Sequence, residues 1–186
     1  MRICVGLFAA IVLAAFALAS GAAAAEPAEP SGYRTDDYRA PTPATLEGAK
    51  VISGDEAMAL WQGKSAIFID VMPRPRRPEG LPANTLWHVP EHRNIPGSIW
   101  LPNTGYGVLN SAADRYFRDN LARLSQDDKG AALVFYCLRD CWMSWNAAKR
   151  AIALGYGNVH WFPDGTEGWQ EAGSELEAGT PVEPVP

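Results

Sequence analysis

Two short apolar runs most constrain the fold of this chain. "AIFIDV" (66–71) and "AALVFY" (131–136) are continuously apolar up to their ends and rich in β-branched and aromatic residues. A strand with one face in water alternates apolar and polar residues. A strand that does not alternate is buried on both faces, which is the habit of parallel sheets covered by helices. "IPGSIWLP" (95–102) reads as a turn and a short strand, and "NVHWF" (158–162) as a further one.

Helical patterns fall between these runs. Ser53 followed by Glu56 forms a capping box ahead of the stripe Ala57, Leu60 and Trp61, and Gly63 ends that helix. Tyr116, Phe117, Leu121 and Leu124 have helical spacing within 111–126. "SWNAAKRAIAL" (144–154) is a helix closed by Gly155. Strands alternating with helices predict an α/β fold with a mainly parallel central sheet and helices on both faces. In such folds ligands gather at the carboxyl ends of the strands. Two features fall there: Asp70 with a proline- and arginine-rich loop behind it, and the loop from Cys137 to Cys141.

The ends of the chain read differently. Residues 1–25 have Arg2, then an apolar stretch, then Ala23 and Ala25 in an A-x-A arrangement. This is the pattern of a secretory signal peptide. Its removal takes Cys4 away and leaves Cys137 and Cys141 as the cysteines of the mature chain. The expected address is an oxidising compartment, the periplasm if the cell is Gram-negative, where neighbouring thiols are not kept reduced. Residues 26–45 read as a flexible lead-in, 46–176 as the domain, and 177–186 as a disordered or extended tail. No later stretch is long and apolar enough to span a bilayer. A net charge of −5 argues against a nucleic-acid partner.

"VFYCLRDCWMSWNAAKRA" (134–151) carries the chemistry. Cys137 lies where a buried strand ends and a helix is about to begin. Backbone N–H groups of the turn, with the helix dipole, favour a thiolate there. Such a thiolate can attack sulfur or phosphorus, or hold a persulfide. Leu138, Arg139, Asp140 and Trp142 shape the loop. Cys141 offers a resolving thiol, and a disulfide across four positions is possible if the loop is open enough. A copper or zinc site from Cys137 and Cys141 with His88 or His92 is a second reading. A non-catalytic docking or scaffold domain, in which the two cysteines are an inert buried pair, is a third. Arg74, Arg76 and Arg77 could bind a carboxylate or sulfur oxyanion, or lie on a solvated loop. Asp70 is expected to orient a loop N–H or pair with an arginine. Of Trp142 and Trp145, one is expected in the core and one against the site; Trp61, Trp100, Trp161 and Trp169 read as core or core-edge residues.

The order of the pieces is similar to that of the rhodanese-like domains. Asp70 ends a strand, Ile95-Pro96-Gly97-Ser98 forms the turn, Cys137 ends the next strand, and Gly155 to Val159 opens another. Asp164-Gly165 and Gly168-Trp169 follow. The resemblance covers residues 44–176 and implies a persulfide on Cys137 and sulfur transfer. Asp140 and Trp142 stand where that family often has Gly and Arg, Ser or Thr. Met72 and Arg93-Asn94 replace its usual Arg and Gly-His. An acidic Asp140 beside a thiolate disfavours thiosulfate and raises the cysteine pKa. Cys137, Cys141, Trp142 and the "SWNAAKR" run resemble a narrower periplasmic group with a CxxxCW signature. That likeness implies a role in PQQ-dependent alcohol catabolism, beside quinoprotein alcohol dehydrogenases and their cytochrome c partners.

Overall fold

The computed structural model describes residues 27–185. The expected signal peptide, residues 1–25, lies outside them. The elements are β1 (Ala49–Val51), α1 (Gly54–Gln62), β2 (Ile67–Asp70), β3 (Arg93–Asn94), β4 (Ile99–Trp100), α2 (Ser111–Ser125), β5 (Leu133–Tyr136), α3 (Trp142–Ala153), β6 (Val159–Phe162), α4 (Gly165–Glu171) and β7 (Glu177–Ala178). Five strands form a parallel sheet in the order β1-β6-β5-β2-β4, and β3 pairs with β7 antiparallel. The expected α/β fold is the observed one.

The apolar runs divide between the two faces by strand periodicity. Ile69, Phe135 and Trp161 are in register and bury against Phe117 and Leu121 of α2 and Trp145 and Ala148 of α3. Phe68, Val134, Tyr136 and Phe162 face the other way, onto Ala57 of α1 and Trp169 of α4. β5 and β6 are buried along their whole length, as a central strand covered on both sides must be. The capping box at Ser53 and Glu56 forms, and Gly63 is the C-cap of α1.

α3 starts at Trp142, two residues before the sequence pattern places it. Cys141 is its N-cap and supplies no side-chain bond. A distant carbonyl does this work instead: the Trp142 N–H donates to Tyr38 O at 2.9 Å.

Both flanking segments are docked on the domain. The segment expected as a flexible lead-in, residues 26–45, is described from residue 27, and its residues from 30 on, with Leu46, form an extended strap across α3. The Arg34 N–H donates to Asn146 Oδ1 at 2.9 Å, and Asn146 Nδ2 donates back to Arg34 O at 2.8 Å. Leu46 joins the core at the strap's end. The C-terminal segment is an extended arm. β7 pairs with β3, and the Val182 N–H donates to Trp100 O at 3.0 Å along the edge of the sheet. Polar composition hides this docking, because backbone groups make most of the bonds. Among the described residues, no helix is long and apolar enough to cross a membrane.

Candidate functional site

β5 delivers Cys137 to the carboxyl end of the sheet, and the loop Leu138-Arg139-Asp140 returns the chain to Cys141. The two cysteines are joined as a disulfide, with Cα atoms 6.5 Å apart, inside the range such a bond requires. Asp140 adopts the left-handed conformation, φ 53°, that turns the loop. Aspartate tolerates this better than most residues, so the turn forms without the glycine often found in such loops.

The loop is held from two sides. On one, Thr166 N–H donates to Cys137 O at 3.0 Å, and Leu138 bridges Gly165 antiparallel. Gly165 has φ +52°, and a Cβ there would sit 2.2 Å from Cys137 O; glycine meets both demands. Arg139 extends over α4. Its Nε bonds Asp164 Oδ1 at 3.0 Å, and its two terminal nitrogens take both carboxylate oxygens of Glu171. The Glu171 and Asp164 carboxylates raise the Arg139 pKa further above its ordinary value. On the other side, the strap crosses the loop, with Arg39 bridging Cys141 antiparallel.

These contacts change the expected cradle. The Arg139 N–H donates to Glu167 Oε2 at 3.0 Å, and the Trp142 N–H goes to the strap. Both donors serve protein acceptors, where the sequence reading aimed the turn's N–H groups at sulfur. The Glu167 carboxylate thus holds one of the loop N–H groups that an oxyanion would need. Both sulfur-bearing residues are closed off, Cys137 at 0% and Cys141 at 2% exposure.

The remaining expected residues disperse. Asp70 is fully buried on the opposite face of the sheet from Cys137. It accepts the Met72 N–H at 2.8 Å, which is the expected orientation of a loop, but its side-chain partner is His92 Nε2 at 2.8 Å rather than an arginine. His92 stacks on Trp100 at 3.8 Å. Burial pushes the Asp70 carboxyl up, and the bond from His92 opposes it. Next to Asp70, Tyr136 donates to Ser98 Oγ at 2.8 Å and accepts the Ile95 N–H at 3.0 Å; burial and then the Asp70 charge raise its pKa.

The histidines are therefore not gathered at the cysteines: His92 is committed to Asp70 and His88 is exposed. Among the described residues no group of three or more His, Cys, Asp or Glu side chains is placed to hold a metal. The arginines form no single anion site either. Arg74 pairs with Glu183 of the arm at 2.8 Å, Arg77 donates to the carbonyls of Thr85, Leu81 and Pro82, and Arg76 is exposed. Proline-rich chain leaves carbonyls without partners in regular structure, and Arg77 collects them. Trp142 and Trp145 are both buried and meet edge to face at 5.4 Å. Trp61 is the half-exposed one, packed edge to face on Trp169.

Sequence reasoning missed Tyr38, Arg39, Asp164, Glu167 and Glu171 as neighbours of the cysteine loop and its helix start. The acidic spacing Asp164, Glu167, Glu171 places three carboxylates on one face of a helix, and that signal was available. The strap left none.

The rhodanese-like domain family model matches residues 53–172, which includes β2, the cysteine loop and α4. The chain belongs to the rhodanese-like domain family. Among solved structures, it is similar to a thiosulfate sulfurtransferase from Pseudomonas aeruginosa at 21% identity, over 72% of this chain and 21% of that one, TM-score 0.48. It is also similar to a polysulfide-sulfur transferase homodimer from Wolinella succinogenes at 17% identity, over 70% and 79%, TM-score 0.42. A human single-domain sulfurtransferase matches at 22%, over 68% and 99%, TM-score 0.41. This chain thus spans about a fifth of the length of the Pseudomonas protein. No curated protein sequence matches it.

Proposed function

We propose that this rhodanese-like protein handles sulfane sulfur through a dithiol–disulfide pair, as an exported protein working beside a PQQ-dependent alcohol oxidation system. The observation that carries the thiol chemistry is the Cys137–Cys141 disulfide closing the loop after β5, within the family match. The export and the quinoprotein and cytochrome c partners rest on the N-terminal sequence pattern and on the cysteine–tryptophan signature.

In the reduced pair, the Cys137 thiolate attacks the outer sulfur of a donor persulfide. The donor leaves as its thiolate, and Cys137 carries the persulfide. The Cys141 thiolate then attacks Cys137 Sγ, expels hydrosulfide and leaves the disulfide. The sulfane sulfur has taken two electrons from the pair, and a dithiol reductant must restore it. Asp140 in the loop and Glu167 on the Arg139 N–H weigh against an oxyanion donor such as thiosulfate.

Mass spectrometry of the native protein tests this. Cys141→Ser, given a persulfide donor, is expected to accumulate a 32 Da sulfur adduct on Cys137, roughly the mass of one sulfur atom by the chemistry above. Wild type, with the pair reduced beforehand and the reductant removed, is expected to release hydrosulfide and return to the disulfide. Unmodified thiols in both proteins would reject the reading. Stoichiometric copper or zinc on protein purified without a tag would favour the metal-binding alternative.

A further inference from the structure

The strap is bound in a way that its own sequence does not explain. Six of its bonds to α3 come from its main chain. The Trp142 N–H donates to Tyr38 O at 2.9 Å, and Trp142 Nε1 to Pro41 O at 3.1 Å. Trp145 Nε1 donates to Thr45 O at 3.2 Å and Lys149 Nζ to Pro30 O at 3.2 Å. Asn146 holds both the N–H and the C=O of Arg34. Of residues 27–46, only Pro43 and Leu46 are buried. Strap side chains add contacts at a few points. Arg34 lies 5.4 Å over the Trp142 ring, and Arg150 lies 4.6 Å over the Tyr33 ring. The Tyr38 hydroxyl accepts the Gly107 N–H at 3.1 Å while its ring meets Tyr106 edge to face, and Tyr38, Ala40 and Leu46 pack on the core.

The other wall is made to admit a backbone. A Cβ on Gly107 would fall 2.1 Å from Arg34 O. α3 and the 105–107 loop thus form a groove that reads extended main chain, with donors and an amide at spaced positions. Groups that bond only backbone accept many sequences. The groove runs onto the disulfide, because Arg39 of the strap is bridged antiparallel to Cys141.

We propose that this groove is a docking site for an extended, cysteine-bearing polypeptide segment of a redox partner, and that the strap is its resident stand-in. This rests on the thiol function above and names the class of reductant that function requires. With the strap lifted, the partner segment takes its place and brings a thiol opposite Cys141. The partner thiolate attacks Cys141 Sγ and the native disulfide breaks. Cys137 leaves as a thiolate and takes up the proton the partner released, so no net oxidation occurs until a second partner thiol resolves the mixed disulfide. A closed strap keeps small thiols from both sulfurs.

The test uses the full mature chain in its disulfide form, as wild type and as the double variant Arg34→Ala/Tyr38→Ala. These substitutions remove strap side-chain contacts and leave the groove intact. The probes are a synthetic peptide of residues 30–46 carrying Arg39→Cys, a scrambled peptide with its cysteine at the same position, and glutathione. Both peptides are expected to form mixed disulfides with the double variant at least tenfold faster than glutathione, and several-fold faster than with wild type. Equal rates for glutathione and peptides, or for wild type and variant, overturn the proposal. So does reaction of the unscrambled peptide alone, which would make the groove specific for its own strap. Reduction by dithiothreitol is run beside these: a disulfide that dithiothreitol opens while peptides gain no advantage sinks the groove and leaves the thiol function standing. If the double variant does not fold, Arg39→Cys in the full chain decides. A mixed disulfide from position 39 to Cys141, with Cys137 free, supports the proposal; a freely labelled thiol at 39 beside an intact native disulfide overturns it.

Discussion

At the scale of single residues, burial decides what the ionisable groups do. Asp70 has no exposed surface, and its carboxyl is raised from the ordinary value of 3.8 by desolvation, against the pull of His92. The folded state therefore keeps a proton that the unfolded chain has released. The associated stability is full below pH 3.8 and is lost as pH rises through the elevated folded value. Asp70→Asn removes this titration while keeping an acceptor for the Met72 N–H. Thermal midpoints across pH 3 to 7 are expected to fall with pH more steeply in wild type than in the variant; parallel curves would contradict the assignment. Cys137→Ser tests a different link. Losing a cross-link over so short a loop costs about 2 kcal/mol in the chain-entropy account, so denaturant midpoints are expected to drop modestly with the fold retained.

At the scale of elements, the cysteine loop owes its shape to α4 as much as to β5 and α3. Gly165 combines a left-handed φ with contact to Cys137 O, and no side chain satisfies both. Gly165→Ala is expected to destabilise the protein by roughly 2–4 kcal/mol, as strained backbone and overpacking together do. Its signature is local: amide exchange in Leu138, Arg139 and Thr166 should accelerate more than exchange in β2. Arg139 lies partly in water, so its ion pairs with Asp164 and Glu171 contribute more to the placing of the loop than to global stability. Arg139→Ala is accordingly expected to speed exchange at residues 138–140 while leaving the thermal midpoint nearly unchanged.

At the scale of the whole molecule, both ends of the described chain act as covers. The C-terminal arm occupies the outer edge of β4, where Val182 bonds Trp100 and Tyr116 Oη bonds Val182 O. An open parallel edge is a template for pairing with another chain. A chain ending at Leu176 is expected to show higher-order species on size exclusion at concentrations where the full chain is uniform; an unchanged profile would assign the arm no protective role.

The sequence alone determined the parallel sheet, the two-faced core, the capping box of α1 and the place of Cys137. Each of these follows from a local pattern: unbroken apolar runs, helical spacing, or a residue at the end of a strand. Three things were settled only by the tertiary structure. His92 is joined to Asp70 away from the thiols, Glu167 takes a loop N–H, and the strap and arm are docked. In the first two, one polar side chain meets a group 22 or 28 residues away, and no periodicity records such a meeting. In the third, the bonds run largely through main-chain N–H and C=O groups, which every residue but proline carries in full. A segment bound largely by its backbone leaves little trace in its side chains, so proline- and threonine-rich sequence that read as free linker is instead docked along α3 as far as Cys141.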